Sequence, residues 1–251
     1  MSKERLDQLL VKLGFASNEK EASALLMTGD VLVDDVPVTS PGKYVLSHAV
    51  IRLRHEKIPY VSRGGIKLAH ALNHFHIEVE GKIALDVGAS TGGFTDCLLQ
   101  HGAKKVYALD VGYGQLDMKL RRDERVVVFD RTHIRDLKKE QLREAIDLMV
   151  VDLSFTSTAA LLKLMHRWAN TKTLLLVLVK PQFEGAAETI EEGGIVLDPK
   201  AHEKAIQKVI NAGEKVGWET VGMTPSPITG THGNREFLVL FRSSVAVFSF
   251  K

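Results

Sequence analysis

Apolar residues recur along this chain in two rhythms, and the change between them divides it. Leu6, Leu9, Leu10 and Leu13 fall at i, i+3, i+4 and i+7, which predicts a short helix with four leucines on one face, ending near Gly14. A second helix is expected from an N-cap at Ser17, with Glu19 and Glu21 in its first turn and a stop around Gly29. VLVDDVPV, residues 31–38, sets apolar runs either side of an Asp34-Asp35 turn, Pro41-Gly42 punctuates again, and residues 50–54 alternate. Residues 1–60 therefore read as a small α+β module, too small to carry much catalytic machinery.

From Lys82 onward the rhythm becomes strand and helix in alternation. IALDV, KVYALD, RVVVFD, DLMVVD and TLLLVLVK are short apolar runs, most of them ending in a polar or charged residue. Helical patterns such as residues 94–101 and 158–168 lie between them. Such alternation implies a parallel sheet covered on both faces, with its ligand beyond the carboxyl ends of the strands.

Composition changes this picture little. The chain has 251 residues, 45% of them hydrophobic, enough for one large domain and a small one. The formal net charge is only +2, so any contact with nucleic acid must come from a local patch. The longest aliphatic run, residues 174–179, falls far short of the roughly 18 residues that suggest a membrane span, and MSKERLDQLL lacks the apolar core of a signal peptide. A cytoplasmic protein without stable membrane association is expected. The single cysteine, Cys97, cannot form an internal disulfide and reads as core filling beside Phe94, Leu98 and Leu99.

The segment LDVGASTGGFTD, residues 85–96, approximates two known loops. As a dinucleotide loop it has Gly88 and Gly93, but Ser90 stands where a middle glycine lets the backbone approach a pyrophosphate, which argues against NAD or FAD. As G-x-S-x-G it matches a hydrolase elbow from Gly88 to Gly92, and Asp152 and His232 follow in the α/β-hydrolase order. An elbow of that kind follows a central strand with several strands before it, whereas this loop follows the first strand of its domain. A nucleoside ligand without phosphates suits the loop better. Asp110 closes the next strand, where a carboxylate can accept both hydrogen bonds of a ribose diol, and the combination fits S-adenosyl-L-methionine.

Four charged residues complete the pattern. RGGIKLAHAL places Lys67 early in a helix whose apolar face is Leu68, Ala71, Leu72 and Phe75, so the lysine is expected on the polar side with His70 and His74. Asp152 ends a fourth strand in VVDLSF, Lys180 a fifth in LVLVKPQF, and Glu236 stands near the start of a last strand in GNREFLVLF. In this order, with the glycine loop between the first two, they resemble the Lys-Asp-Lys-Glu tetrad of the FtsJ-like RNA ribose 2′-O-methyltransferases. RLDQLLVKLG and TGDVLVDDVPVTSPGKYV resemble an S4 RNA-binding domain, with two carboxylates, Asp34 and Asp35, where that turn usually reads Asn-Gly or similar. Together with YVSRGGIKL, KPQFE and GNREF, these segments make the chain similar to the TlyA family, hemolysin-like by historical name, over nearly all its length.

The resemblance implies an α/β fold: a Rossmann-like class I methyltransferase domain with a mostly parallel seven-stranded sheet over residues 61–251, and an S4-like α+β domain over residues 1–60. It implies methyl transfer from S-adenosyl-L-methionine to a ribose 2′-hydroxyl, of cytidine, in ribosomal RNA or ribosomal subunits. Lys67, Asp152, Lys180 and Glu236 are the implied catalytic set. A ribose hydroxyl is a poor nucleophile that must be held in line and relieved of its proton, and Lys180 is the residue expected to orient or deprotonate it. Asp152 and Glu236 are expected to position the lysines. The implied cofactor site comprises Asp86, Gly88, Ala89, Ser90, Gly92, Gly93, Phe94, Asp110 and Asp152, with Asp130, Thr132 and His133 toward the adenine; His133 stands where the family more often has Asn.

Candidate RNA contacts are Arg5, Lys12, Lys20 and Lys43 in the first module, where acids and bases are equal in number, and Arg63, which either grips a phosphate or holds the linker. Residues 183–199 lack periodicity and have glycines near both ends, as a lid has, and carry Glu188, Glu191 and Glu192 where relatives often have bases. His70 and His74 lie one helical turn apart, but no HExxH or cysteine set accompanies them, so no metal is expected. Two other readings are an RNA-binding assembly factor with a vestigial site and a membrane-damaging hemolysin. The terminal SSVAVFSFK alternates like an additional edge strand.

Overall fold

The computed structural model describes residues 2–54, 58–185, 189–191, 193–230 and 233–244, and its chain divides into two units, Met1–Lys57 and Ile58–Lys251. His232, Glu188, Glu192 and residues 245–251 of the terminal alternating segment lie outside the described residues.

The first unit runs β1 (Lys3–Arg5), α1 (Leu6–Lys12), α2 (Glu19–Met27), β2 (Val31–Val33), β3 (Val36–Pro37), β4 (Tyr44–Leu46) and β5 (Ile51–Leu53). Leu6, Leu9 and Leu10 are buried against Ala22 and Leu26 of the second helix. Leu13 departs from the expected face: it is the C-cap of α1 and 52% exposed, because the helix ends before its side chain can reach the core. The N-cap of α2 is Asn18 and not Ser17. Asn18 Oδ1 accepts the Glu21 N–H at 2.9 Å, while Ser17, one residue earlier, donates its own N–H and hydroxyl back to the Glu21 carboxylate. Between β2 and β3, Asp34 and Asp35 both take positive φ, 49° and 66°, as a two-residue hairpin turn of the right twist demands. Each carboxylate has a partner: Asp34 accepts the Val50 N–H, and Asp35 pairs with Arg52. A short pairing of β1 with β4, unforeseen in the sequence, completes the unit.

The second unit begins with α3 (Gly64–His74) and continues β6 (Ile83–Val87), α4 (Gly93–Gln100), β7 (Lys105–Leu109), α5 (Met118–Arg121), β8 (Val126–Phe129), β9 (Leu148–Val151), α6 (Leu162–His166), β10 (Leu174–Val179), α7 (Pro181–Glu184), α8 (Pro199–Glu214), β11 (Trp218–Pro225) and β12 (Phe237–Ser243). The strands form one seven-stranded sheet in the order β11-β12-β10-β9-β6-β7-β8, and only β12 runs antiparallel to its neighbours. Alternate strand residues feed opposite layers. Ala84, Ala108, Val150, Leu176 and Leu178 meet α3 and α4, whereas Leu85, Tyr107, Met149, Val177 and Phe241 meet the layer containing α6 and α8. Cys97 is buried in the first layer, and burial pushes its thiol up to about 12, so it fills space and does not react.

Two further departures concern elements. The helix expected over residues 158–168 is broken into a single 3-10 turn at Thr158–Ala160 and the short α6. The helix α8 and strand β11 have no counterpart in the pattern reading; they prepare the sheet edge against which β12 lies.

Candidate active site

The chain leaves β6 for β7 and β8 on one side, then returns to place β9 on the other side of β6. That reversal opens a crevice at the carboxyl ends of β6 and β9, the position where open α/β sheets hold ligands. Gly88 follows β6 at this point with φ 88°, and a Cβ there would stand 2.4 Å from the Asp152 carbonyl oxygen. Only glycine permits the approach.

The loop after Gly88 turns through left-handed residues at Ser90, φ 49°, and Gly92, φ 98°. The Ser90 N–H donates to Asp110 Oδ2 at 2.8 Å, and the Gly112 N–H donates to Oδ1 at 2.6 Å. An amide that a pyrophosphate loop aims at its ligand is here spent on a carboxylate. The donor set thus fits a nucleoside without phosphates, for which the Asp110 oxygens retain lone pairs. Ser90 Oγ donates to Gln115 Oε1 at 3.3 Å, and His232, the base of the hydrolase arrangement, lies outside the described residues. Beneath the loop, Asp86 is fully buried. Its Oδ2 accepts the Thr95 hydroxyl at 2.7 Å, and its Oδ1 has no partner. Burial, with a smaller push from Asp152, raises its carboxyl to about 7 against the opposing Thr95 hydrogen bond.

Glycines also bring Lys67 here. The N-termini of α3 and α4 meet so closely that a Cβ on Gly93 would lie 3.0 Å from the Gly65 nitrogen. Lys67, in the first turn of α3, is buried and not on a solvated polar face as the helical projection implied; its Nζ lies 2.5 Å from Glu236 Oε2. The antiparallel direction of β12 is what carries Glu236 to this end of the sheet, because the residue before an antiparallel strand sits where parallel strands finish. A Cβ on Gly230 would stand 2.0 Å from Glu236 Oε1, so this turn also closes tightly over the carboxylate.

Lys180 ends β10 and caps α7. Pro181 at the first helical position holds Lys180 extended, at φ −112° and ψ 103°. Its Nζ lies 2.6 Å from Asp152 Oδ1, without hydrogen-bond alignment, and donates to Ser154 Oγ at 3.0 Å. Lys67, Asp152 and Lys180 line one cavity of about 150 Å³ together with Gly88, Ala89, Ser90, Gly93 and Phe94. A neighbouring cavity of about 310 Å³ shares Lys180 and Ser154 and is lined further by Phe155, Phe183, Ile190, Gly193, Gly194 and Glu236. The expected lid segment therefore contributes to this second cavity, and Asn234 fastens it: Oδ1 accepts the Val196 N–H at 2.9 Å and Nδ2 donates to the Gly194 carbonyl at 2.9 Å.

Other expected residues lie elsewhere. Asp130 is held by two 2.7 Å hydrogen bonds from Arg121, Thr132 donates to the Asp130 carbonyl, and His133 accepts the Arg135 N–H; none of the three lines either cavity. His70 bonds Thr224, and no cluster able to hold a metal occurs among the described residues. Arg63 donates to the Thr229 carbonyl at 2.7 Å. In the first unit, Arg5 is taken up by the buried Asp7 and Lys12 by Glu4, while Lys20 and Lys43 stand exposed. Pattern reading did not single out Ser154, Asn234 or Phe155. The GNREF motif pointed at Asn234, whereas nothing local marks Phe155, which is 91% exposed at φ 64° with its ring 5.3 Å from that of Phe183.

An FtsJ-like methyltransferase family model matches residues 60–243, and an S4 domain model matches residues 4–51. The Mycobacterium tuberculosis protein named 16S/23S rRNA (cytidine-2'-O)-methyltransferase TlyA is 40% identical over 240 residues, covering 95% of this chain and 90% of its own. Hemolysin A of Brachyspira hyodysenteriae is 41% identical over 238 residues, covering 94% of this chain and 99% of its own. The solved structure described as "Putative hemolysin from Streptococcus thermophilus" superposes with a TM-score of 0.75 at 38% identity, over 98% of this chain and 90% of that one.

Proposed function

Because the chain belongs to the TlyA group of FtsJ-like methyltransferases, we propose that it methylates the 2′-hydroxyl of a cytidine ribose in ribosomal RNA, using S-adenosyl-L-methionine. The observation that carries this reading is the meeting of two lysine–carboxylate pairs, Lys67 with Glu236 and Lys180 with Asp152, beside a loop suited to a nucleoside. On this reading the division of labour falls between an RNA-binding domain over residues 1–60 and a catalytic domain over residues 61–251, in a cytoplasmic setting.

Bound S-adenosyl-L-methionine supplies an electrophilic methyl group on a sulfonium. Gly88, Ala89, Ser90, Gly92, Gly93 and Phe94 would wall its position, Asp110 would accept hydrogen bonds from its ribose, and Asp152 would lie toward its methionine end. Asp86 supports the loop from below. Asp130, Thr132 and His133, which line neither cavity, would approach only the adenine side. Lys180 orients the ribose hydroxyl. Its ammonium has three N–H donors, of which Ser154 takes one, and Asp152 Oδ1, 2.6 Å from the same nitrogen, holds it at the cavity wall. Lys67, held by Glu236 in the same mouth, offers a second N–H donor edge that helps keep the hydroxyl oxygen in line, and the proton displaced from that oxygen leaves to solvent. Phe155 and Phe183 give the larger cavity an aromatic wall on which a base can lie. Arg5, Lys12, Lys20, Lys43 and Arg63 are candidate RNA contacts; Lys20, Lys43 and Arg63 are exposed without an ionic partner among the described residues, Arg63 donating to a backbone carbonyl.

Purified protein is expected to move labelled methyl onto ribosomal subunits from cells lacking the gene, with mass mapping locating one cytidine. Lys180→Ala is expected to lower transfer at least a hundredfold while cofactor affinity, read by calorimetry, stays within about twofold. Wild-type protein that binds subunits tightly yet transfers nothing would overturn the proposal in favour of an assembly role. Among the described residues no helix is long and apolar enough to cross a membrane, so leakage of lipid vesicles is not expected.

A further inference from the structure

The catalytic unit has a second positively charged surface that none of these roles uses. Helix α8 carries Lys200, Lys204 and Lys208 along its length and Lys215 as its C-cap, spaced by four, four and seven residues, so that they follow one face for about 20 Å. Gln207 and Asn211 fill that face between them, and Glu203 and Glu214 fall to its other flank. The opposite side of the helix is buried through Ala201, Ala205, Ile206 and Val209. Between this face and the 3-10 turn at Thr158–Ala160 runs an open groove of about 830 Å³, floored by Ala159, Ala160 and Ala212 and edged by Lys204, Lys208 and Lys215; no acidic residue lines it.

The groove is joined to the active site by short covalent and hydrogen-bonded links. Ser157 at its rim belongs to the loop that leaves Asp152 and Ser154. Ser157 Oγ donates to Glu184 Oε2, and Lys208 Nζ donates to the Glu184 carbonyl at 2.6 Å, Glu184 being the last residue of α7, whose cap is Lys180. Lys208 is paired with the buried Glu184 carboxylate at 3.6 Å, whereas Lys204 and Lys215 on either side of it have no ionic partner among the described residues. Free ammonium groups along such a line suit a polyanion whose charges repeat, and small floor residues allow its backbone to lie close.

The geometry points to this groove as a track for the phosphodiester backbone of the RNA strand that leaves the active-site mouth. The inference rests on the proposed RNA methyl transfer for its choice of polyanion, and its test does not depend on transfer. Full-length protein carrying Lys200→Gln, Lys204→Gln and Lys215→Gln together keeps helix propensity and leaves the Lys208–Glu184 contact intact. Binding of a labelled, unmodified ribosomal RNA fragment is measured from 50 to 200 mM KCl. The expected result is affinity at least tenfold weaker at 150 mM and a salt slope shallower by about 2, with cofactor affinity unchanged. A control variant, Lys104→Gln, Lys172→Gln and Lys82→Gln, removes the same charge from the amino ends of the strands and is expected to change the slope by less than half as much. An unaltered slope in the first variant, or equal losses in both, overturns the groove whether or not the wild type transfers methyl. Loss of binding to intact subunits alone, with naked RNA unaffected, overturns it too by assigning the lysines to an acidic protein surface. Absence of transfer by a wild type that still shows the groove-dependent slope counts against the catalytic reading only.

Discussion

Asp86 and Gly88, two residues apart, set different limits on the loop they support. In the folded chain Asp86 holds its proton to about pH 7, whereas in the unfolded chain it releases it near the ordinary carboxylate value of 3.8. Its contribution to stability is therefore complete below that ordinary value, declines as the pH rises, and is lost once the pH has passed about 7. Asp86→Asn is expected to abolish this decline, a few kcal/mol in size, so that urea midpoints of the variant change less between pH 4 and 8 than those of the wild type. Parallel curves for the two proteins would refute the assignment. At Gly88 the limit is steric. Gly88→Ala forces a Cβ to within 2.4 Å of the Asp152 carbonyl at φ 88°, and a loss of about 3 kcal/mol in denaturant titration is expected, with slower methyl transfer because Asp152 moves.

Among elements, the loop after β9 and the helix after β10 behave as one piece because Glu184 holds both. Its carboxylate accepts the Ser157 hydroxyl and the Thr158 N–H, and it is buried. Glu184→Ala leaves those donors unmet and is expected to cost about 2–4 kcal/mol in thermal or urea unfolding; a variant as stable as wild type would deny the brace. At the other end of the chain, Asn18→Ala is expected to cost about 1 kcal/mol, and Ser17→Ala less, through the cap of α2. Elements of this kind were unevenly legible in the sequence. Parallel strands announce themselves, since burial on both faces makes runs such as IALDV and LMVV apolar throughout. Helix α8 went unread because its buried face includes Ala201, His202, Ala205 and Gly213 and only two large apolar residues, Ile206 and Val209, and β11 because its strand residues alternate in burial around polar Thr224. Two adjacent cap-forming residues, Ser17 and Asn18, cannot be ordered by local preference alone. The four charged residues of the candidate site were legible as strand and helix ends, but the burial of Lys67 was not: its carboxylate partner lies 169 residues away, beyond any window of sequence.

At the scale of the whole molecule, the two units have separate hydrophobic interiors, one built on Leu6, Leu10 and Leu26 and the other on the two faces of the sheet. A fragment of residues 58–251 is thus expected to bind S-adenosyl-L-methionine as the full chain does and to lose at least tenfold in affinity for ribosomal RNA. Calorimetry and filter binding check the two halves of that expectation, and equal RNA affinity would remove the first unit from recognition. The sheet itself is closed out of sequence order: β12, the latest described strand, lies between β10 and β11 and delivers Glu236. While the chain is still being translated and Ser243 has not yet emerged from the ribosome, the long edge of β10 stands bare and Lys67 lacks its counter-ion. Until β12 docks, that open edge favours association with other chains and the candidate site lacks one of its four charged groups.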